Sequence, residues 1–110
     1  MMGKGFLTVR AVVANPDDRP GFDTWYAIEH LPDAVQAFGI LRAWRAWSKS
    51  DPAVHIAFYE FDTADKADAI QHSEGIKALI AEFDRCWGDK VTRSREVLEV
   101  VGAISLEGSG

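Results

Sequence analysis

Two β-rich runs separated by a four-residue turn constrain this chain more than any other feature. Ile40–Ser48 and Ala53–Phe61 flank Lys49-Ser50-Asp51-Pro52, four turn-favouring residues. So short a connection joins antiparallel neighbours, because parallel strands need a crossover of about a dozen residues or more. A helical stretch lies on each side of this hairpin. Beyond each helix comes another β-rich run, Phe6–Val13 and Val91–Val101. The order predicts β-α-β-β-α-β: an α+β, ferredoxin-like sandwich with sheet order 4-1-3-2. Right-handed crossovers put both helices on one face of the antiparallel sheet. The other face is left bare, and an apolar patch there marks an interface.

Strand patterning assigns the faces. Leu7, Val9, Ala11 and Val13 form a uniformly apolar side of the first strand. In the third strand, Val54, Ile56 and Phe58 are expected to face the helices, against Ile76, Leu79, Ile80 and Phe83. His55, Ala57 and Tyr59 then fall on the bare side, with Val12 and Trp44 or Trp47.

The first helix follows a loop at Asn15–Gly21. Phe22, Trp25, Ile28 and Leu31 mark its buried stripe, and Asp23 suits its N-terminal dipole. Pro32 lacks an N–H and clashes with the carbonyl four residues back, so the helix should stop or kink near His30. Asp33–Phe38 adds a turn or two, closed by Gly39. The second helical stretch is capped at Asp62-Thr63 and broken at Ser73-Glu74-Gly75. It then resumes through Ile76, Leu79, Ile80, Phe83 and Trp87.

With 110 residues there is room for one domain, read as 6–101 with flexible ends at 1–5 and 102–110. Twelve Lys plus Arg against 17 Asp plus Glu give a net charge of −5. That balance argues against a phosphate-binding surface and so against nucleic acid. RNA-recognition domains share the strand order, but Val54–Phe61 matches only the second half of their third-strand motif. The basic start, the Gly and the first stacking aromatic are missing. The sole cysteine, Cys86, rules out an intrachain disulfide and fits a cytoplasmic protein. It reads as a core or near-core residue. No signal-peptide or membrane-spanning run is present, so no membrane partner is expected.

The segment Phe22-Asp23-Thr24-Trp25-Tyr26-Ala27-Ile28-Glu29-His30-Leu31-Pro32 has an aromatic-rich helix ending in His-x-Pro. Further on come the joint Ser73-Glu74-Gly75, then Asp84 and Trp87. These features resemble the dimeric α+β barrel superfamily, and within it the EthD-like group, over Phe6–Val101. The resemblance implies a homodimer through the bare sheet faces and a cleft between sheet and helices. It does not imply one activity, since the superfamily includes cofactor-free monooxygenases, cyclases, isomerases and haem enzymes.

His30 and Tyr26 are four apart on a helix and share a face, so a phenol and an imidazole can act together in proton transfer. They are the candidate catalytic pair. Against this, His30 can simply satisfy a carbonyl freed by Pro32 while Tyr26 packs its ring. Trp25, His55, Tyr59 and Arg42 are candidate ligand contacts. Arg10, Arg45, Arg93 and Arg95 also lie on strands, where cross-strand pairs with Glu60, Glu96 and Glu99 are the plain alternative. His72 reads as a surface or capping residue. His30, His55 and His72 lack metal-ligand spacing, and no motif marks a haem ligand, a phosphate loop or a nucleophile elbow. No cofactor or metal is expected. The leading functional reading is a cofactor-independent enzyme acting on a small aromatic or polyketide-like metabolite. The alternatives are a non-catalytic binding or accessory protein and a purely structural dimerisation module.

Overall fold

The computed structural model describes residues 3–104. The Met1-Met2 start and the Glu107–Gly110 tail, which belong to the ends read as flexible, lie outside them. The strands are β1 (Gly5–Val13), β2 (Ala43–Trp47), β3 (Val54–Phe61) and β4 (Val91–Glu99). They form one antiparallel sheet in the order β2-β3-β1-β4, as the hairpin and the two crossovers predicted. The helices are α1 (Arg19–Trp25), α2 (Leu31–Phe38), α3 (Ala64–Ile70) and α4 (Glu74–Trp87). Their buried residues meet Leu7, Ala11, Val13, Ala57 and Tyr59 of the sheet in a single core.

Local chemistry sets the boundaries. Asn15 accepts a hydrogen bond from the N–H of Asp17 and opens a short 3-10 turn at Pro16–Asp18, inside what reads as plain loop. Helix α1 therefore begins at Arg19, whose guanidinium donates to the carbonyls of Val13 and Ala14. Thr63 and Ser73 cap α3 and α4 by accepting from Lys66 N and Ile76 N. Gly39 closes α2 with φ at 67°, a conformation that costs glycine little. The second strand is shorter than its pattern, because Ile40–Arg42 turn before pairing begins at Ala43.

Pro32 does not stop the first helix. The chain makes a π-helical turn at Tyr26–His30 and runs on into α2. Leu31 N–H donates to Tyr26 O, one residue further back than in an α-helix. The wider turn accommodates the proline and changes which residues face inward. Phe22, Tyr26, His30 and Ala34, each four apart, are all buried. Ile28, expected in the core, is 70% exposed.

The faces of β3 are the reverse of the expected assignment. Leu7 pairs with Tyr59, Val9 with Ala57 and Ala11 with His55, so His55, Ala57 and Tyr59 point at the helices. Ile56 and Phe58 lie on the bare face, so they do not pack on α4 as expected. There Phe58 stacks on Trp44 with centroids 5.5 Å apart. Phe6 meets Trp44 edge-on at 5.7 Å, and Leu98 is 41% exposed on β4. Trp47 pairs with His55 and sits with it on the helix side.

Candidate functional site

Helix and sheet meet over Ala57, the smallest inward residue of β3. His55 and Tyr59 flank it two positions away on each side, and Tyr26 meets the first through its ring and the second through its hydroxyl. The Tyr26 ring centroid lies 4.5 Å from that of His55. The Tyr26 and Tyr59 hydroxyls share a buried hydrogen bond of 3.1 Å. Burial pushes the Tyr26 phenol up to about 12 and Tyr59 well above its ordinary value, so both are protonated at neutral pH.

His30 follows one turn after Tyr26. Its ring stacks on Trp25 at 4.6 Å and meets Tyr26 edge-on at 4.8 Å. Its Nδ1 is buried without a hydrogen-bond partner among the described residues, so the ring does not satisfy a helix carbonyl through that nitrogen. Burial, helped by the Arg93 charge and opposed by Glu82, lowers its pKa to about 4. The imidazole is neutral at pH 7.

A cavity of about 30 Å³ lies beside it, lined by His30, Tyr59, Phe38, Phe83, Ile80 and Arg93 among others. That volume holds about two water-sized groups. The cavity also reaches Arg95, an exposed residue, and so communicates with the surface along β4. Arg93 lies 4.1 Å over the Phe83 ring and is paired with Asp84 at 3.1 Å.

A second polar cluster sits at the β2 side. Asp23 Oδ1 accepts from Arg45 Nη1 at 2.7 Å and from Trp47 Nε1 at 2.8 Å. These two bonds hold its carboxyl below the usual range. Asp23 thus ties α1 to β2 rather than serving the helix dipole. Arg45 Nη1 also lies 3.3 Å from His55 Nε2. A guanidinium only donates, so His55 accepts there and carries its proton on Nδ1. His55 is fully buried, and burial followed by the Arg45 charge lowers its pKa to about 4.

The structure therefore brings Trp25, Tyr26, His30, His55 and Tyr59 into one aromatic cluster on the helix side. Tyr26 spends its hydroxyl on Tyr59, and Tyr59 is the tyrosine that lines the cavity. Arg42 is not part of the cluster. It lies on the other side of the sheet, 3.6 Å from Glu60 and 5.3 Å over the Trp44 ring. This is the cross-strand pairing that strand arginines were expected to make. Arg45 and Arg93 pair instead with helix acids, Asp23 and Asp84. No local pattern in the sequence announces those two sheet-to-helix pairs. His72 is exposed and Cys86 is half-buried, its thiol donating to Glu82 at 3.6 Å. Among the described residues no group of His, Cys, Asp and Glu could hold a metal ion.

Comparison with solved structures fixes the architecture. A variant of SnoaB, a cofactor-independent oxygenase from Streptomyces nogalater, superposes with a TM-score of 0.67 at 10% identity, over 93% of this chain and 97% of that one. The fold is the ferredoxin-like α+β fold that these structures share. An ethyl tert-butyl ether D (EthD) family protein from Bacillus halodurans gives 0.63 at 16% identity, covering 87% and 99% of the two chains. A dimeric ferredoxin-like protein from an uncultured marine organism gives 0.51 at 14% identity, covering 93% and 99%. No family model and no curated protein sequence matches the chain. Among the described residues, no helix is long and apolar enough to cross a membrane.

Proposed function

We propose that the cleft beside His30 takes a small organic molecule, and that the protein is a cofactor-independent enzyme of aromatic or polyketide-like metabolites. The observation that carries this reading is the state of His30: a neutral, buried imidazole with an unpartnered nitrogen, beside a cavity shared with Tyr59 and Arg93. Buried polar groups are normally satisfied, so an orphan next to a cavity points to a ligand as the missing partner. The likeness to a cofactor-independent oxygenase supports the same reading through fold alone.

In this scheme His30 accepts a proton from an acidic C–H or O–H of the ligand, Tyr59 donates to the resulting oxyanion, and Arg93 faces the developing charge. Tyr26 positions Tyr59. The energetics are demanding. A phenol of pKa about 10 is some six units from a base at about 4, roughly 8 kcal/mol uphill. One ion pair near 4 Å at an effective dielectric of 20 returns about 4 kcal/mol. Arg93 facing the anion and the anion facing protonated His30 both act in the required direction, with the share of Arg93 reduced by its pairing with Asp84.

A non-catalytic binding role draws on the same number, since burial that frees His30 also makes it a weak base. The two readings separate on His30→Asn. Trp25, stacked on His30, reports ligand binding by fluorescence. An enzyme loses turnover in this variant by about 100-fold or more while its melting temperature stays near the parent value. Binding that persists with no turnover in either protein assigns the accessory role, and no binding to either leaves a structural module.

The bare sheet face completes the proposal. Phe6, Trp44, Ile56, Phe58 and Leu98 form an apolar surface that a second copy would cover, giving a homodimer through facing sheets. A single half-buried cysteine fits a cytoplasmic setting.

A further inference from the structure

We infer that the ligand of the His30 cleft is an apolar carboxylic acid, bound as its anion with the carboxylate toward Arg93; this rests on the cleft being a ligand site. The whole chain carries −5, yet the charged side chains lining the cavity are Arg93 and Arg95, with no Asp or Glu among the described lining residues. Both cations come from β4, two positions apart and opposite Ala11 and Val9, so they point to the helix side where His30 lies. Arg93 is held for this task. Its side chain is 18% exposed, lies over the Phe83 ring, and is paired with Asp84, which is itself 62% exposed. One exposed carboxylate against two guanidiniums leaves the cleft cationic.

The size of the cavity sets the shape of the ligand. The cavity of about 30 Å³ is large enough for the two oxygens of one carboxylate. The head enters this space between Arg93 and His30. The apolar body lies against the half-buried Leu79 and Ile80 of α4, which also line the cavity. A planar guanidinium recognises a carboxylate through paired N–H donors, which an uncharged amide cannot replace.

Benzoate and benzamide have the same shape and differ in charge, so they test the inference directly on the full chain by thermal shift and Trp fluorescence. Benzoate is expected to bind at least about tenfold more tightly than benzamide, the difference one charged hydrogen bond makes. Arg93→Gln should erase that preference. Arg93 also packs on Phe83, so Asp84→Asn serves as a second variant that leaves the arginine in place. Freeing Arg93 from its carboxylate partner should tighten benzoate several-fold and leave benzamide unchanged. Equal binding of the two probes, or a preference that survives Arg93→Gln, overturns the carboxylate while the cleft stands. Binding of neither probe overturns both the carboxylate and the cleft.

Discussion

The hydroxyls of Tyr26 and Tyr59, 3.1 Å apart, join the π-helical turn to the third strand inside the core. Neither has another side-chain partner among the described residues, and both rings are about 1% exposed. Removing one hydroxyl therefore strands the other. Tyr26→Phe or Tyr59→Phe should each cost about 1–3 kcal/mol of unfolding free energy. The double variant should cost less than the sum, because it leaves no orphan. Urea unfolding of the four proteins measures this coupling, and simple additivity would refute it.

Acid should destabilise the fold through two histidines. The pKa values of His30 and His55 are lowered from 6.5 to about 4 in the folded protein. Between those values the unfolded chain binds protons that the folded one does not. Stability then falls as pH drops from about 6.5 to 4, and levels off for these groups below that. Each contributes about 3 kcal/mol at the low end. Unfolding measured at pH 7 and pH 4.5 in parent and His55→Phe chains should show a smaller loss in the variant. Ring-proton NMR titration gives both pKa values directly, and a value near 6.5 for either contradicts its burial.

Phe83 is 2% exposed and touches Phe22, Trp25, His30 and Arg93. Phe83→Ala should cost about 3–5 kcal/mol, by lost burial and the cavity left behind. It should also release the His30 ring. The His30 pKa in this variant should rise toward its ordinary value as water enters, which distinguishes lost packing from lost cleft geometry.

On the bare face, Phe58→Glu places a charge beside Trp44 in the middle of the apolar surface. If a second copy covers that surface, the parent should sediment as a dimer at micromolar concentration and the variant as a monomer. The monomer should keep its helical circular dichroism, because Phe58 lies outside the helix-side core. A parent that is monomeric throughout would remove the dimer.

The sequence carried the sheet order in its most local feature, the four residues between Ser48 and Ala53. Hydrophobic alternation also placed β1 correctly, since Thr8 and Arg10 contrast with Leu7 and Val9. In β3 it failed. Both sides of Val54–Phe61 are apolar enough to be core, and the polar tips of His55 and Tyr59 argued for the outside. Their partners, Arg45 and Tyr26, are 10 and 33 residues away, and no pattern within the strand reveals them. The candidate site was legible only as residue types. His30 and Tyr26 were found from helical spacing, whereas Arg93 was one strand arginine among five until the fold set it beside His30. Ile28 was misplaced because a period of 3.6 residues does not hold through a π turn.

That turn makes the length of one segment as informative as its composition. A π turn is an α-helix that has taken in one extra residue. Deleting a single residue within Ala27–Glu29 would turn the bond from Leu31 N–H to Tyr26 O into an ordinary α-helical one and leave the segments on either side in phase. Phe22 and Tyr26 would still share a face with His30 and Ala34, because residues three or four apart in an α-helix lie together. The exposed side chains of Ala27, Ile28 and Glu29 should thus tolerate wide substitution. Removal of any one of them should likewise leave the aromatic cluster in the core, at the cost of the wider turn that seats Pro32. Here one residue can be gained or lost without moving the core, and the width of the turn around His30 is what changes.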